Sequence, residues 1–339
     1  MKKQIDKKIA AVYRERLLRA EDAAAESARK YTEEYPGLME IENRLTAENA
    51  RLAIRIISDG IPRISSEERE RLLKERREFL LRNGIPEDYD TIRYNCERCK
   101  DTGNDPSDDK GRCSCYLELL IPFLKRCSNF AGLSGYSFSK FDPMLFSSKK
   151  DEETYRSKNS PREQMIAIKE AAERFVSSFE QPDQPGLFFI GSPGTGKTFI
   201  AGCIANALIS RGISVLYVSA PEMFEMINEY RVVSASFSPD KERLEKASDA
   251  YNDILESDLL IIDDLGTETS NANRQPELLT VINHRTGQSG KMIITTNLGM
   301  TDLMNYYDER LISRIYGGFS VYKFFGEDIR MIQRKIKAY

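Results

Sequence analysis

The chain has 339 residues with 50 Lys+Arg against 53 Asp+Glu, a formal net charge of -3, which excludes both a basic coat for nucleic acid and an acidic tail protein. Any nucleic-acid contact is therefore local. No apolar run approaches the roughly 18 residues of a membrane span, and the start, MKKQIDKKIAAVYRERLLRAED, breaks into charges before a secretory core can form, so a soluble, cytoplasmic protein is expected.

In chain order, residues 4–30 carry Ile5, Ile9, Val12 and Leu17, and residues 38–56 carry Leu38, Ile41, Leu45, Leu52 and Ile56, near helical spacing with charges between them. Tyr35-Pro36-Gly37 and Gly60-Ile61-Pro62 break these segments, and Ser65 with Glu68 predicts a capping box for a third helix that stops near Asn83-Gly84. Residues 1–93 thus read as a helical N-terminal region. Its narrow apolar seams suit a bundle closed on itself or a surface for a partner.

Residues 94–128 hold the stretch NCERCKDTGNDPSDDKGRCSC, with Cys96, Cys99, Cys113 and Cys115 among the six cysteines of the chain. Cys96-x2-Cys99 has the spacing of a zinc half-site, and Cys113-x-Cys115 is a tighter second half able to complete a tetrahedral thiolate site at about 2.3 Å. In a reducing compartment clustered thiols hold a metal more often than they pair. Structural zinc is the expectation, with redox chemistry and no ligand role as the alternatives. Cys127 is a reserve ligand, and Cys203 reads as core.

Residues 129–339 form the third region. Ser147–Ser160 is polar and loop-like, and from Arg162 onward the runs GLFFI (186–190), SVLYVS (214–219), LLIID (259–263) and KMIITT (291–296) alternate with helical patterns at Phe199–Ser210 and Pro221–Tyr230. That alternation predicts an α/β fold, a parallel sheet flanked by helices. Between the first run and its helix lies GSPGTGKT, fitting G-x-x-x-x-G-K-[ST] in the context that the motif requires. Gly191, Ser192, Pro193, Gly194, Thr195 and Gly196 form the loop that cradles ATP phosphates. Lys197 is expected to bridge the β- and γ-phosphates, and Thr198 to place its hydroxyl on Mg²⁺.

LLIIDDLG ends a strand in two carboxylates, as a Walker B motif must. Asp263 is expected to orient Mg²⁺, and Asp264 to polarise the attacking water. Asp264 is one methylene shorter than the glutamate usual there, so slow hydrolysis is predicted. Asn297, ending the strand KMIITTN, is the candidate sensor of the γ-phosphate, although asparagine also ends strands as a turn residue. Arg310 and Arg314 lie four apart on one helix face, and either can serve as a finger reaching a neighbouring subunit's ATP, with Arg314 favoured, or as part of a solvated face.

The series GSPGTGKT, LLIIDDLGTE, KMIITTNL and DERLISRI resembles the AAA+ ATPases of the bacterial replicative-helicase loader family, the DnaC/DnaI type, over about residues 129–339. GYSFSKFD (135–142) looks like that family's lead-in to the core. The resemblance implies a DNA replication protein, a switch ATPase that loads the replicative helicase onto single-stranded DNA. It also implies an N-terminal domain that contacts the helicase and, in the DnaI branch, carries zinc. Subunits would associate head to tail through the ATP site. With 25 residues after Arg314, the separate helical lid of most AAA+ proteins is not expected. Arg330 in GEDIRMIQRK reads as a surface residue or as a partial substitute for a lid arginine.

The resemblance further places single-stranded DNA contacts in APEMFEMINEYRVVSASFSPDKERLEK, where Phe224, Tyr230, Arg231 and Phe237 combine aromatic and basic side chains. Phe224 and Ile227 also fall at core spacing. Two other functions remain to be weighed. One is a transposition helper of the IstB type, and the other is a metal-bearing nucleic-acid adaptor with a weak ATP site.

Overall fold

A computed structural model describes residues 2–59, 67–107, 111–127, 135–267 and 274–337. They divide into two compact units, one of residues 8–116 and the other of residues 1–7 and 117–339.

The first unit rests on three helices, α1 (Lys2–Glu34), α2 (Pro36–Asp59) and α3 (Glu67–Asn83). The break between α1 and α2 is tighter than Tyr35-Pro36-Gly37 predicts. Tyr35 alone lies between the helices, because Pro36 takes the first helical position, where an N–H has no intrahelical partner. Gly37 continues the helix, and a Cβ there would come within 2.8 Å of the Phe79 ring, so the glycine lets α3 approach. Leu38, Ile41 and Leu45 of α2 bury themselves against Leu72, Phe79 and Leu80 of α3. Arg76 adds a polar tie, donating to Glu42 at 2.6 Å and to Asp90 at 2.7 Å, while the Tyr89 hydroxyl also donates to Glu42. Gly84, at φ +67°, ends α3, and Ile85 N–H returns to the Leu80 carbonyl at 3.0 Å. The capping box expected from Ser65 lies outside the described residues.

α4 spans Ser114–Cys127. After α5 (Glu152–Tyr155), α6 (Pro161–Ser177) starts at a capping box of Ser160 and Glu163 with Pro161 in its first turn. Then follow β1 (Gly186–Gly191), α7 (Lys197–Ile209), β2 (Val215–Ser219), α8 (Ala220–Ser234), α9 (Lys241–Glu256) and β3 (Leu259–Leu265). The chain continues through α10 (Arg274–Gly287), β4 (Lys291–Thr296), α11 (Met300–Tyr306), α12 (Glu309–Gly318), β5 (Phe319–Phe324) and α13 (Ile329–Lys337).

All five strands are parallel, in the order β2-β3-β4-β1-β5. Helices cover both faces of such a sheet, so its inner strands read as unbroken apolar runs, and β1, β3 and β4 are buried almost throughout. Phe188, Leu260, Ile262 and Ile294 pack on one face against Val281 and Ile282 of α10. The sequence predicts four strands, and the fifth, FSVYKF, is the edge strand beside β1. Its burial alternates along its length, so it lacks the continuous apolar signal of the others. Because β4 lies between β1 and β3, the carboxyl ends of these three strands converge on one crevice. Among the described residues, one helix, α13, follows β5, and no helix is long and apolar enough to cross a membrane.

Candidate ATP site and cysteine centre

The loop Gly191–Gly196 leaves the end of β1 and turns into α7. Two of its glycines are required by close approach. At Gly191 (φ +146°) a Cβ would lie 1.9 Å from the Phe324 carbonyl oxygen, and at Gly194 (φ +74°) it would lie 2.1 Å from the Asp328 carboxyl group. Thr195 braces the turn by donating to the Ser192 carbonyl at 2.7 Å, and Pro193 lines the pocket in front of it.

Lys197, 5% exposed, donates to the carbonyls of Gly191 at 2.7 Å and Ser192 at 2.9 Å and to Asn297 Oδ1 at 2.8 Å. Burial pushes it down to about 8, against the upward pull of Asp264 and Asp263. Thr198 donates to Asp263 Oδ2 at 3.2 Å, so a hydroxyl and a carboxylate face the same point, the donor pair that Mg²⁺ takes beside a phosphate chain. Asp263 is held from both neighbouring strands. Tyr217 of β2 donates to one carboxylate oxygen and Thr295 of β4 to the other.

Asp264 adopts φ +56°, and the register of β3 against β4 shifts between Ile262 and Leu265. This local irregularity re-aims the second carboxylate out of the strand's alternation. Its N–H donates to Thr295 Oγ1 at 3.0 Å, and its Oδ1 accepts from Asn297 Nδ2 at 2.9 Å. Burial, and then the adjacent Asp263, raises it above the ordinary carboxylate range.

The crevice extends past the loop into an aromatic wall that the motif reading did not contain. Tyr136, Phe141 and Phe146 share the pocket with Phe199 of α7, with Phe141 and Phe146 stacked at 5.8 Å and Tyr136 and Phe199 at 5.3 Å. Asn206 fixes this segment by donating to the Tyr136 carbonyl at 2.7 Å. The signal was the aromatic spacing in GYSFSKFDPMLF, whose contact with α7 depends on the fold. Arg330 also lines the pocket, at the start of α13, whose Ile329 N–H donates to the Gly194 carbonyl at 3.0 Å.

Residues 166–316 match the IstB-like ATP binding protein family. The segment is thus similar to IstB-like ATP binding proteins and to the DnaC helicase loaders. The replicative helicase loader DnaC of Escherichia coli (strain K12) is 29% identical over 166 residues, 49% of this chain and 63% of that protein. Replicative helicase loader DnaC of Buchnera aphidicola subsp. Schizaphis graminum (strain Sg) is 27% identical over 161 residues, 48% of this chain and 62% of that protein. The match thus spans less than two thirds of these relatives. Among solved structures, a crystal structure of DnaI shares 25% identity at a TM-score of 0.42, covering 58% of this chain and 92% of that one. The DnaC helicase loader structure shares 23% at 0.41, covering 52% and 96%.

Within the matched segment, Arg310 and Arg314 do not join Lys197 and Asp264 in the phosphate pocket. Both are exposed on α12 and line a separate shallow groove with Asn283 and Ser313. Of the four residues considered for DNA, Phe224 is core at 3% exposure and Arg231 is engaged with Glu277 at 2.8 Å. Tyr230 stacks on Tyr251 at 4.5 Å, joining α8 to α9. Phe237, in the turn between these helices, is fully exposed. Sequence reading also missed Arg285, wholly buried, which donates to the carbonyls of Ile254, Ser257 and Lys291. Nothing in α10 taken alone distinguishes it from a surface arginine.

In the first unit, the sulfurs of Cys96, Cys99, Cys113 and Cys115 lie within 4.8 Å of one another. Cys96 and Cys113 are 3.8 Å apart, and Cys99 and Cys115 are 3.5 Å apart. A tetrahedron with metal–sulfur bonds of about 2.3 Å has edges of roughly 3.8 Å, whereas a disulfide needs about 2.05 Å, so the donor set fits zinc. Asp101, buried at φ +54°, shapes the first half by accepting from the N–H groups of Asn95 and Cys96. The N–H of Cys115 pulls the Cys113 thiol down to about 7, whereas burial pushes the Cys115 thiol up. The side chain of Cys127 lies outside the described residues, and Cys203 is buried in α7.

Proposed function

We propose that the chain is an ATP- and Mg²⁺-dependent helicase loader, a slow switch ATPase that places a replicative helicase on single-stranded DNA in the cytoplasm. The observation that carries this reading is Asn297. Its amide joins Lys197 to Asp264 beside the Thr198–Asp263 pair, in a domain homologous to DnaC.

Bound Mg²⁺ would neutralise phosphate charge, and Thr198 and Asp263 would hold it. The loop N–H groups and Lys197 bind the phosphate chain, and the wall of Tyr136, Phe141 and Phe146 suits a flat base. Asp264 accepts the proton of the attacking water. Its short arm and its tie to Asn297 limit how often it reaches that water, which keeps turnover slow. Arg314, with Arg310 beside it, serves the site of the next subunit, so that assembly is head to tail and ATP-dependent. Residues 1–93 receive the helicase, residues 94–128 form a structural zinc knuckle, and residues 129–339 form the ATPase domain. Phe237 stacks on DNA bases.

The family description supports a second reading, an IstB-type transposition helper, for which the partner would be a transposase. A pull-down with the intact chain separates the two. Capture of the host's replicative helicase in an ATP-dependent manner supports loading, and capture of a transposase without helicase contradicts it.

A further inference from the structure

The cysteine centre is touched from outside by a residue far from it in sequence. Tyr13 of α1 is 6% exposed, and its hydroxyl oxygen lies 3.1 Å from Cys115 Sγ. Its ring packs against Gly103, where φ is +72° and a Cβ would come within 2.5 Å of a ring carbon. The knuckle therefore presents a bare backbone face to Tyr13, and a larger residue at 103 would push the helix away. Gly103 also donates its N–H to Cys99 Sγ at 3.4 Å, so the same residue contacts a second ligand sulfur.

A metal held by four cysteines is held by thiolates, which carry no proton. The hydrogen bond between Tyr13 and Cys115 then has one possible polarity, with the phenol donating and the sulfur accepting. A donor on a ligand sulfur fixes the direction of its lone pair and takes up part of its charge, and loss of such a donor weakens metal binding. Tyr13 belongs to α1, so its hydroxyl contact with Cys115 and its ring contact with Gly103 tie that helix to the metal centre.

We propose that Tyr13 is a positioning residue of the metal centre, the hydrogen-bond donor to the Cys115 thiolate, and that it couples metal occupancy to the docking of α1 on the knuckle. The inference rests on the zinc reading of the four cysteines. Because the coupling is reciprocal, whatever lifts α1 from the knuckle also loosens the metal.

The test compares the full chain with Tyr13→Phe, which keeps the ring and removes only the donor. Zinc affinity is measured by chelator competition, and the thiolate-to-metal charge-transfer band is recorded after cobalt substitution. The proposal expects affinity about 10-fold lower and a shifted cobalt band, with far-ultraviolet dichroism unchanged. It also expects hydrogen exchange in residues 8–24 of the unsubstituted chain to rise when zinc is stripped. Unaltered affinity and an unaltered cobalt spectrum in Tyr13→Phe overturn the positioning role alone. Failure of the unsubstituted chain to bind stoichiometric zinc overturns the metal reading as well.

Discussion

Lys197 donates to Asn297 Oδ1 at 2.8 Å across the space between the phosphate loop and the end of β4. The other end of the same amide holds Asp264 at 2.9 Å, so one side chain spans the phosphate lysine and the candidate base. Phosphate drawn to Lys197 competes with the first contact and leaves the second. Asn297→Ala is expected to leave ATP affinity within about threefold while turnover falls on the order of 100-fold, the usual effect of losing one preorganised polar group. Fluorescent-nucleotide titration and a phosphate-release assay separate the two quantities, and equal losses in both would place Asn297 in binding alone.

Burial holds Lys197 at about 8 in the free protein. Phosphate raises a neighbouring lysine, so binding at higher pH must take up a proton, and affinity must fall as pH rises through about 8. Calorimetry at about pH 8.5 in buffers of different ionisation enthalpy is expected to register this uptake. An affinity that is flat between about pH 7 and 9 would contradict it.

Phe237 is fully exposed and Phe224 is core, although both lie in the same stretch of sequence. Phe237→Ala is expected to weaken single-stranded DNA binding by about 1–3 kcal/mol, the worth of one stacked base, and to leave thermal stability unchanged. Phe224→Ala is expected to cost about 3–5 kcal/mol of stability. Anisotropy with labelled oligonucleotides and thermal melts distinguish these outcomes.

Arg285 satisfies carbonyls at the end of α9 and the start of β4 from a wholly buried position. Arg285→Leu leaves those acceptors without donors in the core, and a loss on the order of 3 kcal/mol is expected. Urea unfolding measures it. A loss below about 0.5 kcal/mol, the scatter of surface substitutions, would show that water replaces the guanidinium.

The parts of the site that sequence made legible are those whose chemistry is local. Gly191 to Thr198 is a continuous loop and helix start, and Asp263 and Asp264 end one apolar strand, so spacing alone carries them. Tyr217 was illegible because its partner, Asp263, lies on another strand, and only the pairing of β2 with β3 brings them together. The same holds for Tyr136 against Phe199 and for Tyr13 against Cys115, whose contacts join segments remote in sequence. β5 escaped notice for a different reason, since an edge strand with alternating burial carries a weak signal. Within 1–93, spacing sufficed to place three helices, while the exact break at Pro36 followed from how proline begins a helix.

The central claim is that ATP bound through Lys197 controls delivery of a helicase. The direct measurement mixes the purified chain, the host's replicative helicase and circular single-stranded DNA with ATP and Mg²⁺, and counts helicase deposited on the circles. The account predicts ATP-dependent deposition that Lys197→Ala abolishes. Deposition equal in the presence and absence of the chain, or undiminished by Lys197→Ala, would contradict it.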